Sequence, residues 1–269
     1  MKALKVFVLT VALAYLADTL FAEQPEQVSG SASLGLLSKY VFRGYELSSK
    51  SAVIQPALSI SYKGFSAGFW GNIDTDEHKT QSFIPDSEGH KSFNEVDLTL
   101  SYTYTLNKLS FTGGYIYYGT KYASETEEVF VSLAYDTFLK PSLSVYRDIN
   151  KYRGTYFNLS ISHSLPLCGN TTLDLGASAG YFAGDADCWR TYEVSTGDYT
   201  GRKYRALHDG MVKAGLTIQL TKNLSVQPVA QYWFPLSGKA KRTIGGNPYN
   251  PNGNLDNTFV AGINAAFSF

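Results

Sequence analysis

The segment TFVAGINAAFSF, residues 258–269, decides the fold class of this chain. Its apolar residues alternate with small or polar ones and share one face: Phe259, Ala261, Ile263, Ala265, Phe267 and Phe269. A period of two predicts a β-strand that lies between two different environments. A closed barrel in lipid pairs both edges of such a strand and accepts an aromatic residue at its end. The segment therefore predicts a bacterial outer-membrane β-barrel.

Alternating segments recur along the chain. The clearest one places Val212, Leu216 and Leu220 on one face and Lys213 and Gln219 on the other. Counting these segments predicts an all-β fold, a transmembrane antiparallel β-barrel of about 12 strands. The predicted strands cover residues 29–42, 51–62, 65–74, 93–106, 109–119, 127–137, 141–149, 153–165, 171–182, 209–221, 223–234 and 256–269.

The connections between the predicted strands alternate in length. Tight turns fall at residues 63–64, 107–108, 139–141, 166–170 and 222–223, and long polar links at 75–92, 183–208 and 235–255. Outer-membrane barrels have short periplasmic turns and longer outer loops. The pattern therefore predicts that the N and C termini are both periplasmic.

The N-terminus has the features of a secretory signal peptide. Lys2 and Lys5 precede an apolar run from Val6 to Ala17. A membrane anchor, which is the alternative, would need roughly 20 apolar residues. We expect cleavage after Ala22, which leaves a signal peptide of residues 1–22 and one outer-membrane barrel domain of residues 23–269.

Composition and charge agree with this interpretation. The chain is 14% aromatic, with 20 Tyr and 24 Gly, and only 17% of its residues are charged, which favours strands over helices. A net charge of zero gives no support to nucleic-acid binding. The expected partners are outer-membrane lipid and the barrel assembly machinery, which would meet the C-terminal strand that ends in Phe269.

The two cysteines are not expected to form a disulfide with each other. Cys168 falls in a predicted periplasmic turn and Cys188 in a predicted outer loop, at opposite ends of one strand. A strand that rises about 3.3 Å per residue separates their α-carbons far beyond the roughly 7 Å that a disulfide allows.

The strand face opposite the lipid predicts a lining of hydroxyl, amide and a few charged groups. Its charged members are Lys39, Asp97, Asp174 and Lys213. These charges could line a pathway or could equally form salt bridges that brace the barrel. A barrel of this strand number predicts a narrow pathway. Aromatic residues at the predicted strand ends, among them Tyr40, Phe42, Trp70 and Tyr118, are interpreted as interfacial girdles.

Histidines are the candidates for catalysis. His163 shares the lipid-facing side with Phe157, near the periplasmic rim, as a barrel lipid hydrolase would require. No serine lies beside it on that face, although a nucleophile needs its base within reach. His78, His90 and His208 fall in predicted loops, and the acidic residues around the first two do not match a known metal-ligand spacing. We expect no catalytic residues, cofactor or metal.

Three motifs resemble those of a known family. SKYVFRG at 38–44, GFSAGFWGNID at 64–74 and EVD at 95–97 resemble, in the same order, motifs of the TorF family of proposed outer-membrane porins. The resemblance covers about the first 140 residues well and the rest of the chain only by pattern, and the long loops around Cys188 and residues 248–251 depart from the family. It implies a passive channel.

Within these motifs, Arg43 is expected at the outer end of the first strand. There it could meet Glu95 or Asp97, either as a salt bridge at the rim or as a charged constriction that sets ion preference. The candidate lumen or constriction residues are Lys39, Arg43, Glu95, Asp97, Asp174 and Lys213.

These observations predict an outer-membrane porin for the passive diffusion of small polar solutes or ions. Two alternatives remain open at this stage. One is an outer-membrane lipid hydrolase on a barrel scaffold. The other is a non-conducting barrel that displays loops for adhesion or envelope structure, which a plugged lumen would favour.

Overall fold

The computed structural model describes residues 27–81, 83–241, 248–249 and 255–269. The predicted signal peptide and part of the link 235–255 lie outside the described residues. The strands are β1 (Ser29–Leu37), β2 (Val41–Phe42), β3 (Tyr45–Glu46), β4 (Val53–Tyr62), β5 (Phe65–Asp74), β6 (Ser92–Leu106), β7 (Leu109–Thr120), β8 (Thr126–Tyr135), β9 (Ser142–Asp148), β10 (Gly154–Pro166), β11 (Thr171–Gly184), β12 (Arg190–Glu193), β13 (Tyr199–Lys203), β14 (Arg205–Gln219), β15 (Leu224–Pro235), β16 (Pro248–Tyr249) and β17 (Thr258–Ser268).

A single 3₁₀ turn, Asp187–Trp189, is the only helical element in the described part of the chain. None of the helical structure described is long and apolar enough to cross a membrane.

Twelve strands form a closed antiparallel barrel. Their order is β1-β17-β15-β14-β11-β10-β9-β8-β7-β6-β5-β4. The barrel closes where β1 pairs with β17, from Ser31 opposite Ser268 to Leu37 opposite Gly262. The predicted fold class and strand number are confirmed, and the C-terminal segment 258–269 contains the closing strand.

The barrel has a turn end and a loop end. At the turn end, Lys63 and Gly64 connect β4 to β5 with φ values of 47° and 83°, as a tight hairpin turn requires. Phe269 is hydrogen-bonded to Gly30 at the same end, through Gly30 N to Phe269 O at 2.8 Å. The loop end carries the β2–β3 hairpin and a small sheet in the order β13-β12-β16.

The two faces of the barrel wall differ as the alternation predicts. Leu100 and Val131 point outward and are 60% and 61% exposed. On the inner face, hydroxyl groups of neighbouring strands are hydrogen-bonded to one another: Ser31 to Ser59 at 2.9 Å, Thr103 to Thr112 at 2.9 Å and Ser132 to Ser144 at 2.6 Å. The apolar face is therefore available to lipid, and the lining is polar.

Most predicted strand boundaries are displaced by at most two residues, but two are displaced further, and both of these concern the lumen. The first strand ends at Leu37 instead of residue 42, because the chain turns into the barrel there. Strand β14 begins at Arg205 instead of residue 209. A β-bulge opposite Gly180 shifts the register, and β14 then goes on pairing with β11 through residues predicted to lie in a loop.

Candidate functional site

Residues 38–48 form a hairpin inside the barrel, which we call the inner hairpin. Ser38 holds its base against β17, because Ser38 N donates to Ala261 O at 2.8 Å and Ala261 N donates to Ser38 Oγ at 3.0 Å. At its tip, Arg43 and Gly44 have φ values of 48° and 80°. Two successive positive φ values give the two-residue turn that suits a β-hairpin. Strands β2 and β3 pair on either side of this turn.

The inner hairpin crosses the lumen. Arg43 donates two hydrogen bonds to the Glu128 carboxylate of β8, from Nη1 to Oε1 at 2.8 Å and from Nη2 to Oε2 at 2.7 Å. In the barrel order, β9 lies six strands from β1 in either direction, and β8 is its neighbour. A hairpin that leaves β1 and reaches β8 therefore spans the barrel.

The Arg43 guanidinium is enclosed by aromatic rings. Its Cζ lies 4.8 Å from the ring centroid of Phe42, 4.9 Å from that of Tyr146 and 4.4 Å from that of Tyr156. Burial works against the charged form, but the Glu128 carboxylate outweighs it and raises the pKa of Arg43 above its usual range. The tip of the hairpin thus carries a permanent cation held by one carboxylate and three rings.

Gly44 lets the tip approach β14 and the chain before β17 closely. A Cβ at this position would lie 2.8 Å from Asp209 Cβ and 2.9 Å from Leu255 Cδ2. Asp209 accepts a hydrogen bond from Tyr156 Oη at 3.0 Å. Because the bulge turns consecutive residues inward, His208 is also fully buried, with its Nδ1 2.7 Å from Tyr204 Oη. The prediction that His208 lies in a loop is wrong, since this residue belongs to β14.

Several aromatic residues assigned to the interfacial girdles face the lumen instead. Tyr40 is 7% exposed and its ring lies 5.3 Å from that of Trp70. Phe42 packs against Tyr118, whose hydroxyl donates to Glu128 Oε2 at 2.9 Å. The girdle interpretation is wrong for these four residues, because the inner hairpin and the inward strand face bury them.

The predicted contact of Arg43 with Glu95 or Asp97 is also wrong. Arg43 pairs with Glu128 of β8 because the hairpin carries it across the lumen. Glu95 is hydrogen-bonded to the Tyr40 hydroxyl; burial, with the Glu95 and Asp97 charges, raises the pKa of Tyr40, which keeps this donor protonated. Asp97 Oδ1 is buried with no hydrogen-bond partner among the described residues.

Lys39 is paired within the inner hairpin. Its Nζ lies 3.0 Å from Glu46 Oε2, and that oxygen also accepts a hydrogen bond from Thr258 Oγ1 at 3.0 Å. A third contact fixes the same strand, because Gln81 Nε2 donates to Glu46 O at 3.1 Å. Lys39 therefore contributes to the attachment of the hairpin and does not pair with Asp97.

Asp174 and Lys213 lie apart from the other candidates, nearer the turn end. Asp174 accepts hydrogen bonds from Ser164 Oγ at 2.6 Å, Thr217 Oγ1 at 2.6 Å and Gln227 Nε2 at 3.1 Å. The Lys213 side chain covers Gly176 on the adjacent strand. These two residues belong to a polar network of the barrel wall, so the six candidates do not form one site.

A cavity of about 560 Å³ lies between the inner hairpin and the outer loops. Its floor includes Tyr40, Phe42 and Arg43, and its walls include Glu95 and Glu128. Trp189 packs over Phe182 on the loop side, with ring centroids 4.1 Å apart. The space is thus an aromatic chamber with charged groups at its base.

The side chains of His163 and His78 have contacts away from the inner hairpin's Arg43–Glu128 pair. His163 Nδ1 lies 2.6 Å from Phe138 O, and the two rings are 4.0 Å apart. His78 lies between Asp76 and Asp86 at 3.5 Å and 3.6 Å. Across the described ranges, no group of three or more His, Cys, Asp or Glu side chains could hold a metal ion. Cys168 and Cys188 are free and exposed at opposite ends of β11.

The residues that receive the inner hairpin are not among the predicted site residues: Glu128, Tyr146, Tyr156 and Asp209. For three of them the strand alternation in the sequence already indicates an inward position. Glu128 has the same strand parity as Ser132, and Tyr146 and Tyr156 have the parity of Ser144 and Asn158. A charged or aromatic residue at an inward position needs a partner inside the lumen.

Comparisons with known proteins bear on the family and the fold. A family model described as "Bacterial protein of unknown function (Gcw_chp)" matches residues 22–215. No curated protein has significant sequence similarity to the chain. The NanC porin, solved in a rhombohedral crystal form, aligns with a TM-score of 0.52 and 13% identity over 88% of this chain and 98% of that chain.

Two further structures are similar over most of their length. The COG4313 outer membrane channel from Pseudomonas putida F1 aligns with a TM-score of 0.51 and 9% identity, over 93% of this chain and 98% of that chain. LpxR from Salmonella typhimurium aligns with a TM-score of 0.48 and 9% identity, over 89% of this chain and 99% of that chain. The first two likenesses show the fold of an outer-membrane barrel. The closed twelve-strand barrel with its apolar outer face supports a location in the bacterial outer membrane.

Proposed function

We propose that this chain, which belongs to the Gcw_chp family of bacterial proteins of unknown function, is an outer-membrane channel for the passive diffusion of small polar solutes or ions. The observation that carries the proposal is the polar lining of a closed twelve-strand barrel. Inward hydroxyl pairs such as Ser31–Ser59 and Ser132–Ser144 make the wall wettable. The inner hairpin makes the pathway narrow.

Other features agree with this proposal. The two similar structures with TM-scores above 0.5 are described as a porin and an outer membrane channel. The TorF-like motifs imply the same role, and one of them, SKYVFRG, forms the entry to the inner hairpin. In this proposal the chain has no catalytic role, its termini are periplasmic and lipid surrounds its apolar face. The assembly machinery meets the strand that ends in Phe269.

Single-channel recording of the protein purified from outer membranes tests the proposal. Small stepwise currents are expected from the wild-type barrel, and larger ones from a variant in which a short Gly-Ser link replaces residues 39–47. Electrophoretic mobility before and after heating would show that both barrels are folded. If neither folded barrel carries current, the channel proposal is wrong.

The inner hairpin also favours a second candidate function, a non-conducting barrel that displays its loops. The tip is fixed by Arg43 to Glu128 on the far wall, and both side chains are largely buried. A silent wild-type barrel and a conducting hairpin-deleted barrel would favour this candidate, because they would identify the hairpin as a permanent plug.

A further inference from the structure

We infer that the cavity above the inner hairpin binds organic cations that carry an apolar body. The inference deepens the proposed channel function, on which it rests, by naming the class of solute that the channel admits. It depends on the size of the cavity, on the chemistry of its walls and on the balance of charge among its lining residues.

The size and the walls suit a small organic molecule. A cavity of about 560 Å³ falls within the range of small-molecule sites. Nine Phe, Tyr and Trp side chains line it and offer ring faces or edges, among them Tyr40, Phe42, Tyr118, Tyr122 and Trp189. Aromatic faces attract cations through the ring quadrupole and also cover apolar groups.

The charge balance favours a cation. Among the described lining residues, the acidic ones are Glu95, Glu128 and Asp148, and Arg43 is the only Lys or Arg. Arg43 is already committed to Glu128 through two hydrogen bonds. The lining therefore holds two further carboxyl groups and no Lys or Arg to match them.

The partners of these two carboxyl groups are neutral donors. Glu95 receives the Tyr40 hydroxyl. Asp148 receives Thr126 Oγ1 at 2.7 Å and the backbone N–H groups of Asn150 and Tyr152 at 3.0 Å and 3.1 Å. A carboxylate removed from water is costly without an opposite charge, and a bound ammonium group supplies that charge.

The chain already shows how this lumen holds a cation. The guanidinium of Arg43 lies over the rings of Phe42, Tyr146 and Tyr156 and is hydrogen-bonded to a carboxylate. The cavity offers the same two elements, ring faces and carboxyl groups, to a molecule that enters from the loop side.

Calorimetric titration of the folded, purified protein with three matched probes tests the inference. The probes are 2-phenylethylammonium, the neutral 2-phenylethanol and the anionic 3-phenylpropionate, which share one ring and differ in charge. We expect the ammonium probe to bind at least about tenfold more tightly than the other two, since one charge-assisted contact is worth about that factor. Equal binding of all three probes, or no binding to folded protein, would overturn the inference.

Two variants provide the matched test of the residues. Glu95→Gln keeps the shape of the side chain and is expected to weaken ammonium binding by about tenfold. Glu88→Gln removes the same charge from an exposed loop outside the cavity lining and is expected to leave binding unchanged. Wild-type affinity in the Glu95 variant would contradict the assigned role.

Conductance measured on the same preparations separates this inference from the proposed function. Conductance without binding of the ammonium probe would support the channel proposal and contradict the inferred binding site. Binding of the probe without any current would support the inferred binding site and contradict the channel proposal.

Discussion

Arg43 is the residue on which the inner hairpin depends. It supplies the only guanidinium within hydrogen-bonding distance of Glu128 in the described structure, and both side chains are largely buried, at 13% and 7% exposure. Removing one partner of a buried ion pair leaves the other charge without compensation. The pair therefore decides whether the hairpin stays docked across the lumen.

For Arg43→Met we expect the docked hairpin to lose about 3–5 kcal/mol, because Glu128 is left buried and unpaired. Amide hydrogen exchange is the measurement. Protection of Leu47 N–H, which donates to Tyr40 O at 2.9 Å, should fall sharply. The double variant Arg43→Met with Glu128→Leu should recover much of that protection, because neither charge remains. Unchanged protection in the single variant would show that the pair does not hold the hairpin.

Gly44→Ala is expected to destabilise the tip for two reasons that a control can separate. The φ of +80° disfavours a side chain, and the added Cβ would lie 2.8 Å from Asp209 Cβ. The two effects together are expected to reduce the free energy of docking of the inner hairpin by about 1–3 kcal/mol. Gly197→Ala has a similar φ of +77° with nothing within 4 Å, so it reports the backbone cost alone.

The two glycine variants are compared by hydrogen exchange in their own hairpins. The loss of protection around Gly44 should exceed that around Gly197, because a methyl group at Gly44 would meet Asp209 and Leu255, whereas one at Gly197 would meet nothing within 4 Å. Equal losses would mean that the wall yields to the added methyl group.

Strand β17 closes the barrel, and Phe269, the residue that follows it, is exposed on the apolar side. Phe269 is 58% exposed and its ring lies 6.3 Å from that of Phe267. We expect deletion of Phe269 to reduce the yield of folded barrel in the outer membrane several-fold, through loss of an aromatic residue at the membrane interface. The folded fraction is measured by its changed electrophoretic mobility on heating.

Phe259→Ala is the control for that deletion. Phe259 is equally outward-facing, at 59% exposure, but lies at the loop end of the same strand. If both changes reduce the folded yield equally, the effect comes from lost apolar surface and not from the position of the terminal residue.

Strands could be predicted from sequence where the two faces differ in chemistry. Alternation in β14 and β17 identifies both faces, since lipid accepts only apolar residues on one of them. The inner hairpin escaped prediction because Tyr40 and Phe42 continue the alternation of β1, and an aromatic residue suits either a membrane interface or a lumen contact. The Arg43–Gly44 pair was the available sign of a turn.

The bulge at β14 could not be predicted for a related reason. Its position depends on Gly180 of the neighbouring strand, where a Cβ would lie 2.6 Å from Tyr156 Oη and still closer to Asp209. Alternation describes one strand at a time, so a feature created by two strands leaves no periodic signal. Candidate residues such as Arg43 could be named, but their partners across the barrel could not.

The lumen around the inner hairpin carries more acidic than basic side chains, which affects the whole pathway through the barrel. The inward-facing acidic residues are Glu95, Asp97, Glu128 and Asp209, and the inward-facing Arg43 is paired with Glu128. Under the channel proposal, we expect a cation-to-anion permeability ratio above one, measured from the reversal potential in a salt gradient. The double variant Glu95→Gln with Asp97→Asn should bring that ratio toward one.

Asp136→Asn is the control for selectivity, because Asp136 is exposed in the β8–β9 turn. It should leave the ratio near the wild-type value. Anion preference in the wild-type barrel would contradict the expectation that these lumen carboxyl groups determine the electrostatic potential along the pathway.

The attachment of the inner hairpin has a thermodynamic consequence. Both of its ends join strands that are hydrogen-bonded neighbours, β1 and β4, so it can leave the lumen without breaking the barrel ladder. Docking is therefore an intramolecular association, in which short tethers give an effective concentration on the order of millimolar. A synthetic peptide of residues 38–48 has to reach that concentration before it displaces the chain's own hairpin from the opposite wall.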